Sequence, residues 1–267
     1  MSDAPNSTLY LQLLTRPSLE EPDLGGALFG TLEDVAPRWG PGKWGIDEPA
    51  RTPWDPARLD EAWANEHLLV ESAEPGAAIL EVQKRGSGLH THGSVRIRGR
   101  PDSIDPDSAL KLLRELAVRL DADYGCLHLA VPEDARELYG VLEHRGQALV
   151  SIPDWSLHFF LPGVFWATVL GPSYTELFGP EAIRTCPAHV VEELELGRWY
   201  IQLTPSLRDN MTDREAVVAA RDAVMEHLGR DAFWRPEDGR PIYPREGRPK
   251  PSGRAPDFGD LRSARTA

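Results

Sequence analysis

Twice along this chain, two short runs with strand character are followed by an amphipathic helix, and that order limits the fold more than any other feature. The first unit places strands at 77–83 and 94–98, joined through a glycine-rich connection over 86–93. A helix follows, with Asp105 as N-cap, Pro106 as its first residue, and Leu110, Leu113, Ala117 and Leu120 along one face. The second unit places strands at 189–193 and 199–204 around a hairpin over 194–198. It ends in a helix opened by the capping box Thr212-Asp-Arg-Glu215, striped by Val217, Ala220, Val224 and Leu228, and closed by Gly229. This pattern predicts an α+β protein: an antiparallel sheet with helices packed on one face, with two similar halves as one possible arrangement.

The rest of the chain fills in around these units. Leu9, Leu11 and Leu13 alternate with Tyr10 and Gln12 as in a half-buried strand. Residues 27–35 read as a helix, weakened by Gly25, Gly26 and Gly30 at up to about 1 kcal/mol each. The proline-, glycine- and tryptophan-rich stretch 39–56 reads as an ordered loop and 56–64 as a short helix. Residues 124–131 form a strand, and Pro132-Glu-Asp opens a helix ended by His144-Arg-Gly146. A strand is expected at 155–161 and mostly helix from 164 to 183. Residues 1–234 are expected to form one α+β domain, with possible halves 1–150 and 151–234, and 235–267 a C-terminal arm holding six prolines and four glycines. Trp234, Ile242, Tyr243 and Phe258 suggest that part of the arm docks, while residues from about 250 onward are expected to be dispensable for stability.

With 41% hydrophobic and 27% charged residues the composition is that of a soluble globular chain. No stretch approaches the roughly 18 uncharged apolar residues of a membrane span, and the opening residues lack the pattern of a secretion signal, so a cytoplasmic location is expected. Cys126 and Cys186 are too few for a disulfide framework or a cysteine-based zinc site. The net charge of -13 disfavours nucleic acid and anionic lipid as partners. The first 207 residues hold 17 basic against 31 acidic side chains, so the body carries -14 and the tail is nearly neutral.

Several constellations suggest chemistry. His90 and His92, two apart, would share one side of a strand and could share a zinc or copper ion, which needs a third ligand; candidates such as His128 or Asp102 are not placed by sequence alone. Cys126 and His128 would likewise share a face, as a thiol and its base or as parts of a core strand. The glycines at 86, 88 and 93 precede a strand instead of a helix, which removes a dinucleotide site. No P-loop, Gly-x-Ser-x-Gly elbow or His-Glu-x-x-His helix occurs. Glu192, Glu193 and Glu195 form either a solvated strand end or an acidic patch for a basic partner, and Trp39 and Trp44 are the tryptophans most expected at a binding surface.

Three segments resemble one known family: Pro153-Asp-Trp-Ser-Leu-His-Phe-Phe-Leu161, Val164-Phe-Trp-Ala-Thr-Val-Leu-Gly-Pro-Ser-Tyr-Thr-Glu-Leu-Phe-Gly179, and Arg198-Trp-Tyr-Ile-Gln-Leu-Thr-Pro205. They are similar to the C-terminal half of the type VI immunity family, and the helix and strand over 110–129 resemble its middle part. The resemblance spans about residues 105–206 and leaves out the tryptophan-rich loop and the tail. It implies a cytoplasmic bacterial protein that protects a cell from secreted toxins, with no catalytic residue.

Together these features lead to a non-enzymatic immunity protein, without a cofactor, whose acidic body occludes a cognate basic toxin such as a nuclease. An enzyme built on His90, His92, Cys126 and His128 is the alternative, and an accessory subunit of a larger complex is a third possibility.

Overall fold

The computed structural model describes residues 7–16, 19, 21–84, 90–239 and 254–258. Strand β1 (Thr8–Thr15) leads into helix α1 (Pro22–Val35), then β2 (Pro41–Gly45), β3 (Thr52–Pro53) and the short α2 (Leu59–Trp63). Strands β4 (His67–Ser72), β5 (Ala78–Gln83) and β6 (Gly93–Gly99) form a meander, followed by α3 (Pro106–Arg119) and β7 (Ala122–Ala130). The hairpin β8 (Val141–His144) and β9 (Gln147–Val150) precedes β10 (Ala167–Leu170), α4 (Pro172–Phe178) and α5 (Pro180–Arg184). Strands β11 (Val190–Glu193) and β12 (Trp199–Gln202), then α6 (Asp209–Thr212) and α7 (Arg214–Leu228), complete the described elements.

Ten strands form one sheet in the order β11-β12-β10-β7-β1-β6-β5-β4-β2-β3, with every pairing between strands antiparallel, as expected of the α+β class. On one face Leu9, Leu11 and Leu13 of β1 meet α1, α2 and α3, the expected helical layer. The opposite face is covered as well, over β7, β10 and β12: Tyr10, Leu14, Tyr124 and Cys126 lie under the β8–β9 hairpin, α4, α5 and α7. Over β4, β5 and β6 that second face carries no helix among the described residues, and along β5 and β6 partly exposed residues alternate with buried ones.

Close approaches explain two glycines. A Cβ on Gly25 would lie 2.8 Å from the Trp63 ring, so the glycine that weakens α1 lets α2 pack against it. A Cβ on Gly99 would lie 2.6 Å from the Trp39 ring.

Several local expectations are corrected. Residues 155–161 are not a strand: a 3-10 turn covers Asp154–His158. The apolar run expected to be helical contains β10, buried on both faces, where strand and helix leave the same unbroken apolar signature. The expected helix after Pro132 is a 3-10 turn, Pro132–Arg136, followed by the β8–β9 hairpin, which turns at Arg145 and Gly146 with φ of 52° and 76°. Within 39–56 the loop pairs as β2 and β3.

The arm docks further along than expected. Trp234 is buried and its indole N–H donates to the Gly239 carbonyl at 2.8 Å. Arg254 N–H donates to Asp231 O at 3.0 Å, and Phe258 is buried with its ring edge-on to His92 and His158, at centroid distances of 4.7 and 5.4 Å. Residues beyond 250 therefore include a core side chain. Ile242 and Tyr243 lie outside the described residues.

Candidate functional site

The uncovered half-sheet is a trough. Its floor is the outward side of β5 and β6, with Glu81, Arg96 and Arg98 in cross-strand neighbourhood. One wall is the segment 149–155 running out of β9, and the other is the loop after β2, which Glu48 ties to Arg98 at 3.0 Å. Ala50 N–H of that loop donates to Glu71 on β4 at 2.9 Å. Two cavities of about 230 and 160 Å³ lie along this trough and share Arg96 and Ser151. Arg96 bridges them, donating to Ser151 Oγ and to Glu81. A larger cavity of about 750 Å³ lies elsewhere, between the end of α1, the start of α3 and Leu207.

At one end of the trough the residues His90-Thr91-His92 form a clamp. Lying just before β6, His90 and Thr91 engage the two ends of the 3-10 turn Asp154–His158, and His92 engages β7. His90 Nδ1 is 2.8 Å from Asp154 Oδ1, Thr91 Oγ is 2.9 Å from His158 Nε2, and His92 Nε2 is 3.3 Å from Asp123 on β7. Thr91 Oγ also lies 2.8 Å from His92 Nδ1. Having one proton, the hydroxyl donates to one imidazole and accepts from the other, so the chain from Asp123 to His158 is continuous. Ser173 donates to Asp123 at 3.1 Å, and the Phe258 ring covers both histidines. Both nitrogens of His92 are thus engaged within the protein. Among the described residues no group of three His, Cys, Asp or Glu side chains is placed to hold a metal ion.

Cys126 and His128 do share a face of β7, but the face is core. Burial pushes the Cys126 thiol up to about 12, far from the thiolate that nucleophilic chemistry needs. His128 accepts from the Trp166 N–H at 3.2 Å through Nδ1 and faces Asp134 at 3.0 Å through Nε2. Asp134 also accepts from Val131 N–H, Asn210 and Arg214, at 2.9, 2.9 and 2.8 Å. Burial opposes ionisation of Asp134, yet His128, the Val131 amide and Arg221 outweigh it and hold the carboxyl well below its usual range. This cluster ties the turn after β7 to α6 and α7.

The expected tryptophan anchors are corrected. Trp39 and Trp44 are only 3% and 8% exposed and belong to the core under α1 and α3. Trp39 donates its indole N–H to Ser103 Oγ at 2.8 Å, and Trp44 points inward from β2. Glu192 and Glu193 sit exposed on the edge strand β11, and Glu195 in the turn beyond it, so the three remain on one surface hairpin. Glu192 pairs with Arg114 at 2.8 Å, and Leu196 beside them is 72% exposed.

Sequence reasoning did not identify Thr91, Asp123, His158, Asp134 or the trough. Ser94-Val-Arg-Ile-Arg98 carried the only advance signal, polar side chains alternating with apolar ones.

No family model and no curated protein matches the sequence. Among solved structures the chain is similar to the Pseudomonas aeruginosa T6SS protein PA0821, with a TM-score of 0.53 and 16% identity over 82% of this chain and 76% of that one, a likeness that establishes a shared fold.

Proposed function

We propose that this chain is a non-enzymatic immunity protein that binds a cognate toxin in the cytoplasm and occludes its active site. The observation that carries the reading is the fold shared with a T6SS protein over most of the chain, added to the family-like segments within 105–206. The partner is a basic protein such as a nuclease, because a body of net -14 attracts cations at long range and repels nucleic acid. Glu192, Glu193 and Glu195 on the exposed hairpin steer the encounter.

Co-expression with the products of the flanking genes tests this. One of them is expected to be toxic alone and harmless with this chain, to be recovered chemically unaltered, and to associate more slowly as added salt shortens the screening length to roughly 8 Å at physiological strength. Chemical alteration of the toxin, or absence of neutralisation, rejects the reading.

A further inference from the structure

The larger of the two trough cavities, about 230 Å³, is lined by more hydrogen-bond donors than the protein itself uses. Its floor comes from three neighbouring strands: Gln12 of β1 lies across from Arg96 of β6, and Ser94 of β6 across from Gln83 of β5. Gln12, only 1% exposed, donates to Ser94 Oγ at 3.2 Å and to the Ile152 carbonyl at 2.9 Å, and accepts from the Ile152 N–H at 3.0 Å. It thereby fixes the wall to the floor and occupies a lone pair of Ser94, as Arg96 does for Ser151. Each hydroxyl already accepts, so what it has left to offer is its proton, and neither proton has an acceptor among the described residues. Lys84 lines the same cavity and has no ion pair or side-chain hydrogen bond among the described residues. Arg96 Nε and Arg98 Nε are also without an acceptor; being buried, they add positive charge beneath the floor but no contact for a guest.

Charge limits what can answer these donors. Lys84 and Arg96 stand against a single carboxylate on the lining, Asp154, whose Oδ1 lies 2.8 Å from His90 and whose Oδ2 is buried without a partner. Glu81, the carboxylate on Arg96, lines the smaller cavity instead. One surplus positive charge matches one negative charge on a guest, whereas a dianion would leave its second charge uncompensated beside Asp154. Ile152, Pro153 and Trp155 add an apolar stretch of wall, and at roughly 30 Å³ per water-sized group the cavity takes about eight non-hydrogen atoms.

We infer that this cavity is a binding site for a small monocarboxylate with a short apolar tail, the carboxylate held by Lys84, Ser94 and Ser151 and the tail lying along Ile152 and Trp155. A carboxylate offers acceptor positions to several donors at once, and its bonds to an ammonium and to hydroxyls are charge-assisted. The site needs no toxin and stands apart from the immunity reading.

Titration calorimetry of the full chain with hexanoate at low salt is expected to show one molecule bound per chain with a Kd of about 1 mM or tighter. Hexanamide, which keeps the shape and loses the charge, and sulfate, a dianion, are each expected to bind about tenfold more weakly or worse. Lys84→Gln is expected to weaken hexanoate about tenfold and leave hexanamide unchanged, which also shows that the variant folds; Ser94→Ala is expected to weaken hexanoate about threefold. Lys111→Gln, on α3 across the sheet, is expected to change nothing. Backbone amide resonances of 83–84, 94–96 and 151–152 are expected to shift on titration with hexanoate. Equal affinities for hexanoate and hexanamide, or for hexanoate in wild type and Lys84→Gln, overturn the carboxylate assignment. No binding at about ten times the expected Kd, or shifts confined to the cavity beside α1 and α3, overturns the site itself. Each of these outcomes leaves the neutralisation test of the immunity reading untouched.

Discussion

Strands β7 and β5 belong to the same sheet but are built differently. All nine residues of β7 are buried, whereas β5 buries only alternate side chains. The difference follows from what lies above them: β7 is sandwiched between α3 on one side and the second core on the other, while β5 has a helical layer on one side only. A doubly covered strand has no face left for recognition, and its polar residues must be satisfied internally, as His128 is by Asp134. The singly covered region keeps a polar face that is free to do something else.

The largest expected effect that would sharpen this contrast is at Asp134. Replacing it with alanine leaves His128 and Asn210 buried without their carboxylate partner and takes one of two carboxylates from Arg214, Glu137 remaining for Arg214 and Arg221, and is expected to cost about 3–5 kcal/mol in urea unfolding. The folded-state carboxyl titrates below its unfolded value of roughly 3.9, so its contribution is full above about pH 4 and is lost as pH falls below that. The stability of Asp134→Ala should therefore depend less on pH than that of wild type between about pH 4 and 2. Parallel curves would show that the carboxylate is not the source.

Next comes the arm. Phe258→Ala is expected to lower stability by about 3 kcal/mol, because its ring fills a buried site against His92, His158 and Tyr174. A chain ending at Gly253 should lose at least as much, and an unchanged melting temperature in that truncation would place Phe258 outside the core.

Within β5 the contrast can be broken at two successive residues. Leu80→Ala, on the covered face, is expected to cost about 2–3 kcal/mol, and Ile79→Ala, on the trough side, less than about 1 kcal/mol. Equal losses would mean that the second face is covered in solution. Smallest of all, the triple glutamine variant at 192, 193 and 195 should shift stability within about 0.5 kcal/mol, so that any change in its binding kinetics is electrostatic.

How legible these regions were follows the same division. β5 and β6 were visible because a strand covered on one face writes its alternation into the sequence, and α3 and α7 because cap, stripe and terminus agree. Where both faces are covered the alternation vanishes, and the run containing β10 read as helix. Strand β4 escaped notice because Leu68, Leu69 and Val70 are all buried, the middle one beneath the wall loop. The site was less legible still. His90 and His92 were visible as a pair, but their partners Asp154 and Asp123 lie 64 and 31 residues away, and His158, the partner of Thr91, 67 away, beyond any local spacing rule. Trp39 and Trp44 misled because polar neighbours along the chain say nothing about what folds over a strand from elsewhere.

The two rims of the ten-stranded sheet also govern how these molecules behave in a crowd. At one rim β3 is only two residues long and includes Pro53, which has no N–H to offer an incoming chain. At the other, β11 presents Glu192 and Glu193, so a second copy laid alongside in antiparallel fashion would bring like charges together. Neither rim is a template for stacking one molecule onto the next, which protects the long sheet from lateral polymerisation and directs association to the broad side of the sheet.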